Sequence, residues 1–123
     1  MTSQGFFLDT YALVEIIEGN KGYRECLKQA VFTTKLNLAE LYYYLLKERG
    51  VQAADEYLNV YSRHLTAITN SSIRNAMKFK LENKGDRISY ADAIGYALSF
   101  ELGVKFLTGD EKFADKPNVE YVK

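Results

Sequence analysis

The chain has 123 residues, 47% of them hydrophobic, and its 16 basic and 16 acidic side chains cancel to a formal charge of zero. This length and apolar content suit one domain spanning residues 1–123 with a sizeable core, and no apolar run approaches membrane-spanning length. Neutrality excludes a general basic coat for nucleic acid, so contact with a polyanion must use a local patch.

Met1-Thr2-Ser3-Gln4-Gly5 has no basic stretch leading into a long apolar core, so no signal peptide is expected and the chain reads as cytoplasmic. Gly5 to Asp9 reads as a short buried strand. Thr10 to Glu18 follows with Leu13, Val14 and Ile17 at helical spacing, and Gly19-Asn20 stops it. Tyr23 to Ala30 is expected as a short helix, with the lone Cys26 as a small apolar filler. Val31 to Lys35 is rich in β-branched residues and reads as the second strand. Asn37 is expected to open a helix whose apolar stripe is Leu38, Leu41, Tyr42, Leu45 and Leu46, ended by Gly50. Val51 to His64 repeats the pattern and makes an αα hairpin with it.

Leu65 to Thr69 reads as a third strand. Ser71-Ser72 is expected to cap the next helix, with Ile73, Ala76, Met77 and Leu81 buried and Gly85 at its end. Ser89 opens a nearly all-apolar helix that Gly103 stops. Val104 to Thr108 is the fourth strand, and Val119 to Val122, after Pro117, a short last one. Strands alternating with helices predict an α/β fold with a parallel sheet covered on both faces.

Four carboxylates punctuate this pattern. Asp9 ends the first strand, Asp110 follows the fourth, and Glu40 and Asp92 stand near helix starts. In α/β proteins strand ends and helix starts meet at the carboxyl edge of the sheet, so these acids are expected to converge there. Each has an ordinary alternative. Asp9 can cap a helix, Glu40 and Asp92 stand three residues after Asn37 and Ser89 as in a capping box, and Gly109-Asp110 is a plain turn pair. Capping alone leaves unexplained why two strands both end in Asp beside a threonine, Thr10 and Thr108. A cluster of like charges needs a cation, and oxygen ligands suit Mg²⁺ or Mn²⁺ and phosphodiester cleavage. Without CxxC or HExxH, zinc is not expected.

Asp9-Thr10-Tyr11-Ala12-Leu13, Asn37-Leu38-Ala39-Glu40-Leu41, Ser89-Tyr90-Ala91-Asp92-Ala93-Ile94 with Ala97, and Thr108-Gly109-Asp110-Glu111-Lys112-Phe113 stand in order along the chain. Together they resemble the motifs of PIN domains, in particular the short toxins of the VapC type. The resemblance implies a five-stranded parallel sheet ordered 3-2-1-4-5 with helices on both sides. It implies metal-dependent endoribonuclease activity, a homodimer and a small cognate antitoxin. It makes Asp9, Glu40 and Asp92 the core metal-binding and catalytic acids and Asp110 the fourth, with Glu111 and Asp115 as nearby alternatives, and Thr10 and Thr108 supporting hydroxyls.

Substrate contact is expected from a basic strip comprising Arg74, Lys78, Lys80 and Lys84, with Arg87 just beyond; its alternative is a solvated helix face. Within Tyr42-Tyr43-Tyr44, Tyr43 or Tyr44 can stack on bases or face a dimer or antitoxin surface. His64 is read as structural or surface. A phosphoacceptor receiver would need an acidic pair at the first strand, and a haloacid-dehalogenase-like phosphatase a D-x-D there; Asp9-Thr10-Tyr11 offers neither. A PIN-fold RNA-processing or structural subunit without a toxin role is the remaining alternative.

Overall fold

Along strand β1 (Gly5–Leu8), Phe7 points into one core and Leu8 into another, the period-two alternation of a strand buried on both faces. The computed structural model describes residues 5–123. The first four residues lie outside it, and with them the expectation of no leader. Among the described residues, no helix is long and apolar enough to cross a membrane.

Helix α1 (Thr10–Ile17) follows β1, and strand β2 (Ala30–Phe32) leads into helix α2 (Lys35–Arg49) and helix α3 (Val51–Tyr61). Helix α4 (Asn70–Glu82) and helix α5 (Tyr90–Leu102) form a second pair before strand β3 (Lys105–Thr108) and strand β4 (Val119–Tyr121). All strand pairs are parallel, in the order β2-β1-β3-β4. Helices α4 and α5 cover one face with Phe7, Ile94, Leu98, Phe106 and Phe113. Helices α1, α2 and α3 cover the other with Leu8, Leu13, Leu38, Leu41 and Leu107. The sheet is therefore the middle of three layers. Gly95 is required where α5 crosses β1, because a Cβ there would lie 2.4 Å from the Phe7 ring.

Among the described residues the sheet has four strands rather than the expected five. The segment expected as a third strand contributes a single bridge, Leu65 to Thr33, held by Thr33 N to the His64 carbonyl and Thr66 N to the Thr33 carbonyl, both 2.9 Å. The reason is local: the chain leaves β2 at once, Thr34 turning to cap α2, while Thr69 turns to cap α4. The bridge sits where the outer strand of the expected order would stand.

Other boundaries move for similar reasons. The expected Tyr23–Ala30 helix is two 3₁₀ turns, Lys21–Tyr23 and Cys26–Lys28. Helix α2 starts at Lys35 under a Thr34 cap, not at Asn37. Helix α4 is capped by Thr69, with Ser72 answering as its capping-box partner, and ends at Glu82 before a 3₁₀ turn. Its stripe is also rotated from expectation: Ser72 and Ala76 are buried, whereas Ile73 and Leu81 are exposed.

Candidate functional site

β1 and β3 are neighbours, so the residues that follow them emerge side by side at the carboxyl edge of the sheet. Asp9 is 1% exposed. Its Oδ1 accepts from Ala12 N at 2.8 Å, which caps α1, and its Oδ2 accepts from the Thr108 hydroxyl at 2.5 Å. The same Thr108 oxygen accepts from Asp110 N at 3.0 Å, so one hydroxyl ties the ends of the two strands together. Asp110 is partly buried, and its Oδ1 accepts from Lys112 N at 3.0 Å. Gly109 lets the turn close: a Cβ there would meet the Tyr11 ring at 2.3 Å and the Val122 carbonyl at 2.5 Å.

Glu40 stands in the second turn of α2 on the exposed side. With α2 capped by Thr34, the capping-box explanation for Glu40 no longer applies. Its Oε1 accepts from the Thr10 hydroxyl at 2.5 Å. Thr10 in turn accepts from the amide of fully buried Asn37 at 3.3 Å, and Asn37 Oδ1 accepts from the Thr34 hydroxyl at 2.7 Å. Asn37 thus stands behind Thr10, a contact that its reading as a helix opener missed; the available signal was a polar residue beside the apolar stripe of α2.

Asp92 lies in the first turn of α5, where its N–H donates to the Ser89 hydroxyl at 3.1 Å. It is partly buried. Burial, then the charges of Glu40 and Asp110, push its pKa up to about 6, against opposing pulls from Ser89 and Lys112. Asp9 is pushed up to about 8, first by burial and next by Asp92, with Asp110 adding to it, although Thr108 and Ala12 N favour its charged form. Asp92 is therefore the electrostatic link among the four acids.

Glu111 is exposed and its carboxylate is drawn to Lys123 at 2.6 Å; Asp115 is exposed with Lys116 at 4.0 Å. Neither perturbs Asp9 or Asp92 in the way Asp110 does. Among the described residues, no three carboxylate, imidazole or thiol side chains close around a single point. Glu40 is turned to Thr10, and Asp9 to Ala12 and Thr108. The donor set is all hard oxygen, and neighbouring carboxylates add to burial in raising the pKa of Asp9 and Asp92, which fits a hard divalent cation such as Mg²⁺ or Mn²⁺.

Beside Glu40 opens a cleft of about 670 Å³. Leu36, Ala39 and Glu40 line it from α2; Lys80, Lys84, Arg87 and Tyr90 line it from the α4–α5 side. Of the expected basic strip, Arg74 and Lys78 are exposed but do not line this cleft. Tyr43 is 65% exposed and also outside it, its ring under Lys47. Lys112, not singled out from sequence, donates its Nζ to the Arg87 carbonyl at 3.1 Å and is the cation that lowers the Asp92 pKa. Its position two residues after Asp110 was the available signal. His64 lies on another cleft with Tyr61 and Leu65.

The PIN domain family model matches residues 6–119. No curated protein sequence matches the chain. Among solved structures, the Mycobacterium tuberculosis VapC20, a Sarcin-Ricin loop cleaving toxin, superposes with a TM-score of 0.77 at 18% identity, covering 97% of this chain and 100% of that one. A toxin-antitoxin complex from Klebsiella pneumoniae gives 0.74 at 18% identity over 94% and 96%. VapBC2 from Rickettsia felis, bound to a DNA fragment from their promoter, gives 0.73 at 15% identity over 96% and 98%.

Proposed function

The chain belongs to the PIN-domain family, and on that premise we propose that it is a divalent-metal-dependent endoribonuclease, the toxin of a toxin–antitoxin pair acting in the cytoplasm. The observation that supports this reading best is the group of Asp9, Glu40, Asp92 and Asp110 at one sheet edge, where burial first and the neighbouring carboxylates second raise the pKa of Asp9 and Asp92. The toxin role draws support from proteins of similar fold that include a Sarcin-Ricin loop cleaving toxin and a toxin–antitoxin complex. A homodimer and a small antitoxin are the partners this reading assigns. Exposed Leu81 and Phe100 on α4 and α5 supply apolar area for such contacts.

In the proposed site Asp9, Glu40, Asp92 and Asp110 hold Mg²⁺ or Mn²⁺. Such an ion, when bound, lowers the pKa of water and offsets charge at a reacting phosphate. The chain's own residues set the geometry. The start of α1 and the Thr108 hydroxyl lock Asp9 in one rotamer. The Thr34–Asn37–Thr10 chain of hydrogen bonds orients Glu40 from behind. Lys112 lies close enough to lower the Asp92 pKa and so keeps a positive charge beside the incoming phosphate. The reaction is hydrolysis: water adds to phosphorus and one P–O bond of the RNA backbone breaks.

The test is cleavage of mixed cellular RNA by the purified protein in Mg²⁺ or Mn²⁺ against EDTA, beside Asp9→Asn. Cutting that needs the ion and disappears in the variant supports the reading. A folded, partner-free protein that cuts nothing in either ion overturns it.

A further inference from the structure

Strands β3 and β4 pair in parallel, so a β4 residue whose backbone groups face β3 bonds the residues on either side of its opposite number. The ladder continues past the last residue of each strand. Phe106 N donates to the Asn118 carbonyl at 2.9 Å, and Val122 N donates to the Thr108 carbonyl at 2.9 Å. In this register the next rung would join Asp110 N to the Val122 carbonyl. That rung is not made. Asp110 N donates to the Thr108 hydroxyl at 3.0 Å instead, and the Val122 carbonyl accepts from the Tyr23 hydroxyl at 2.6 Å. A phenol thus occupies the place in the ladder that Asp110 vacates.

Tyr23 is fully buried and closes the 3₁₀ turn Lys21–Tyr23. Asn20 fixes that turn: its Oδ1 accepts from Gly22 N at 2.9 Å, and its amide donates to Glu15 Oε1 at 2.7 Å. Burial first, and the charge of Asp9 next, raise the Tyr23 pKa, so the hydroxyl keeps its proton and remains a donor. The Val122 carbonyl lies against the Gly109 backbone, where an added Cβ would meet it at 2.5 Å. A backbone acceptor packed in that way needs a partner. Without the phenol, the N–H placed by the register to supply one is that of Asp110.

We propose that Tyr23 is a positioning residue for the candidate site: by holding the Val122 carbonyl it keeps Asp110 out of the sheet ladder and turned toward Asp9 and Asp92. The inference rests on the nuclease reading for the role of Asp110. The exchange of hydrogen bonds it requires can nevertheless be observed without metal or RNA.

The test compares Tyr23→Phe with Tyr96→Phe. Tyr96 is a matched control, because its hydroxyl donates to the Pro117 carbonyl at 2.6 Å while its ring lies in the core on the opposite face of the sheet. Each variant loses one hydroxyl–carbonyl bond, so Tm is expected to fall by about 3–6 °C in both. NMR on the metal-free proteins reads the first step. A through-hydrogen-bond coupling between Asp110 N and the Val122 carbonyl should appear in Tyr23→Phe and in neither Tyr96→Phe nor the unsubstituted chain. Mn²⁺ titration followed by electron paramagnetic resonance reads the second. Affinity should fall about tenfold in Tyr23→Phe and hold in Tyr96→Phe. Asn20→Ala, which loosens the turn carrying Tyr23, should repeat both changes on a smaller scale and keeps the proposal open to failure should Tyr23→Phe not fold. If Asp110 N stays on Thr108 in these variants, the proposal is overturned and the nuclease reading stands. Equal losses of Mn²⁺ affinity in Tyr23→Phe and Tyr96→Phe also overturn it, because they would report stability rather than position. If the unsubstituted chain neither takes up Mn²⁺ nor cuts RNA, the nuclease reading falls and the proposal with it.

Discussion

The strand-end half of the site and its helical half use the same pair of parts, an acid and a threonine hydroxyl 2.5 Å away. Asp9 with Thr108 sits at 1% exposure between two sheet neighbours, and its pKa rises to about 8. Glu40 with Thr10 sits on the exposed side of α2 at the mouth of a cleft. The chemistry of the pair is the same; the desolvation is not. A buried carboxylate that is charged costs the fold, whereas an exposed one does not. Ionising the strand-end acid therefore costs stability, whereas the exposed acid of the helical half ionises at little structural cost.

The largest expected effect separates the halves most sharply. Asp9→Asn should reduce RNA cleavage by at least about a hundredfold while raising Tm in EDTA at pH 8. Glu40→Gln should reduce cleavage comparably and leave Tm within about 1 °C. Kinetics and differential scanning fluorimetry on the two variants check this; equal Tm shifts would break the comparison.

The pH dependence follows from the same difference. Asp9 is raised from 3.8 to about 8 and Asp92 from 3.8 to about 6, so between about pH 4 and 8 the folded chain binds more protons than the unfolded one. Stability then falls as pH rises through that window, is highest near its acid end with respect to these groups, and the slope flattens in Asp9→Asn. Urea melts in EDTA across the window measure it. Added Mg²⁺ or Mn²⁺ should counter the fall most at pH 8, by about 2.7 kcal/mol at a hundredfold excess over Kd.

Smaller effects sharpen the contrast. Thr108→Val removes the hydroxyl shared by Asp9 and Asp110 and should cost about 1–3 kcal/mol of stability and about tenfold in cleavage. Thr10→Val should slow cleavage with less loss of stability, because Glu40 remains solvated. Smallest of all, Glu111→Gln and Asp115→Asn should leave cleavage within about twofold, since both carboxylates are exposed and turned to Lys123 and Lys116. Activity lost in either would move the fourth acid away from Asp110.

Much of this was legible in the chain. The apolar runs around Phe7 and Phe106 mark β1 and β3 because strands buried on both faces need uninterrupted apolar character. Ser89 and Gly103 bracket α5 because each satisfies helix-end groups locally. Helix starts with several competent residues were harder. Thr34 and Asn37 can both cap, as can Thr69, Ser71 and Ser72, and the choice depends on where the preceding strand releases the chain. The third strand failed for the same reason: Leu65 to Thr69 has strand composition, but the chain turns into α2 at Thr34 and leaves only Thr33, just past β2, to pair with Leu65.

At the site, the acids and their threonines stand out as candidates from the chain itself, because residue type and position after a strand are local properties. Their inequality could not. That Asp9 is sealed, that Asp92 couples it to Glu40 and Asp110, and that Asn37 stands behind Thr10 all depend on contacts between segments far apart in the chain. The cleft is of the same kind: Lys80, Lys84, Arg87 and Tyr90 reach Glu40 across two layers of the fold. The order of residues determined which groups were present and which elements carried them. Desolvation and distance, which set pKa and make a wall of charge, exist only once the chain has packed.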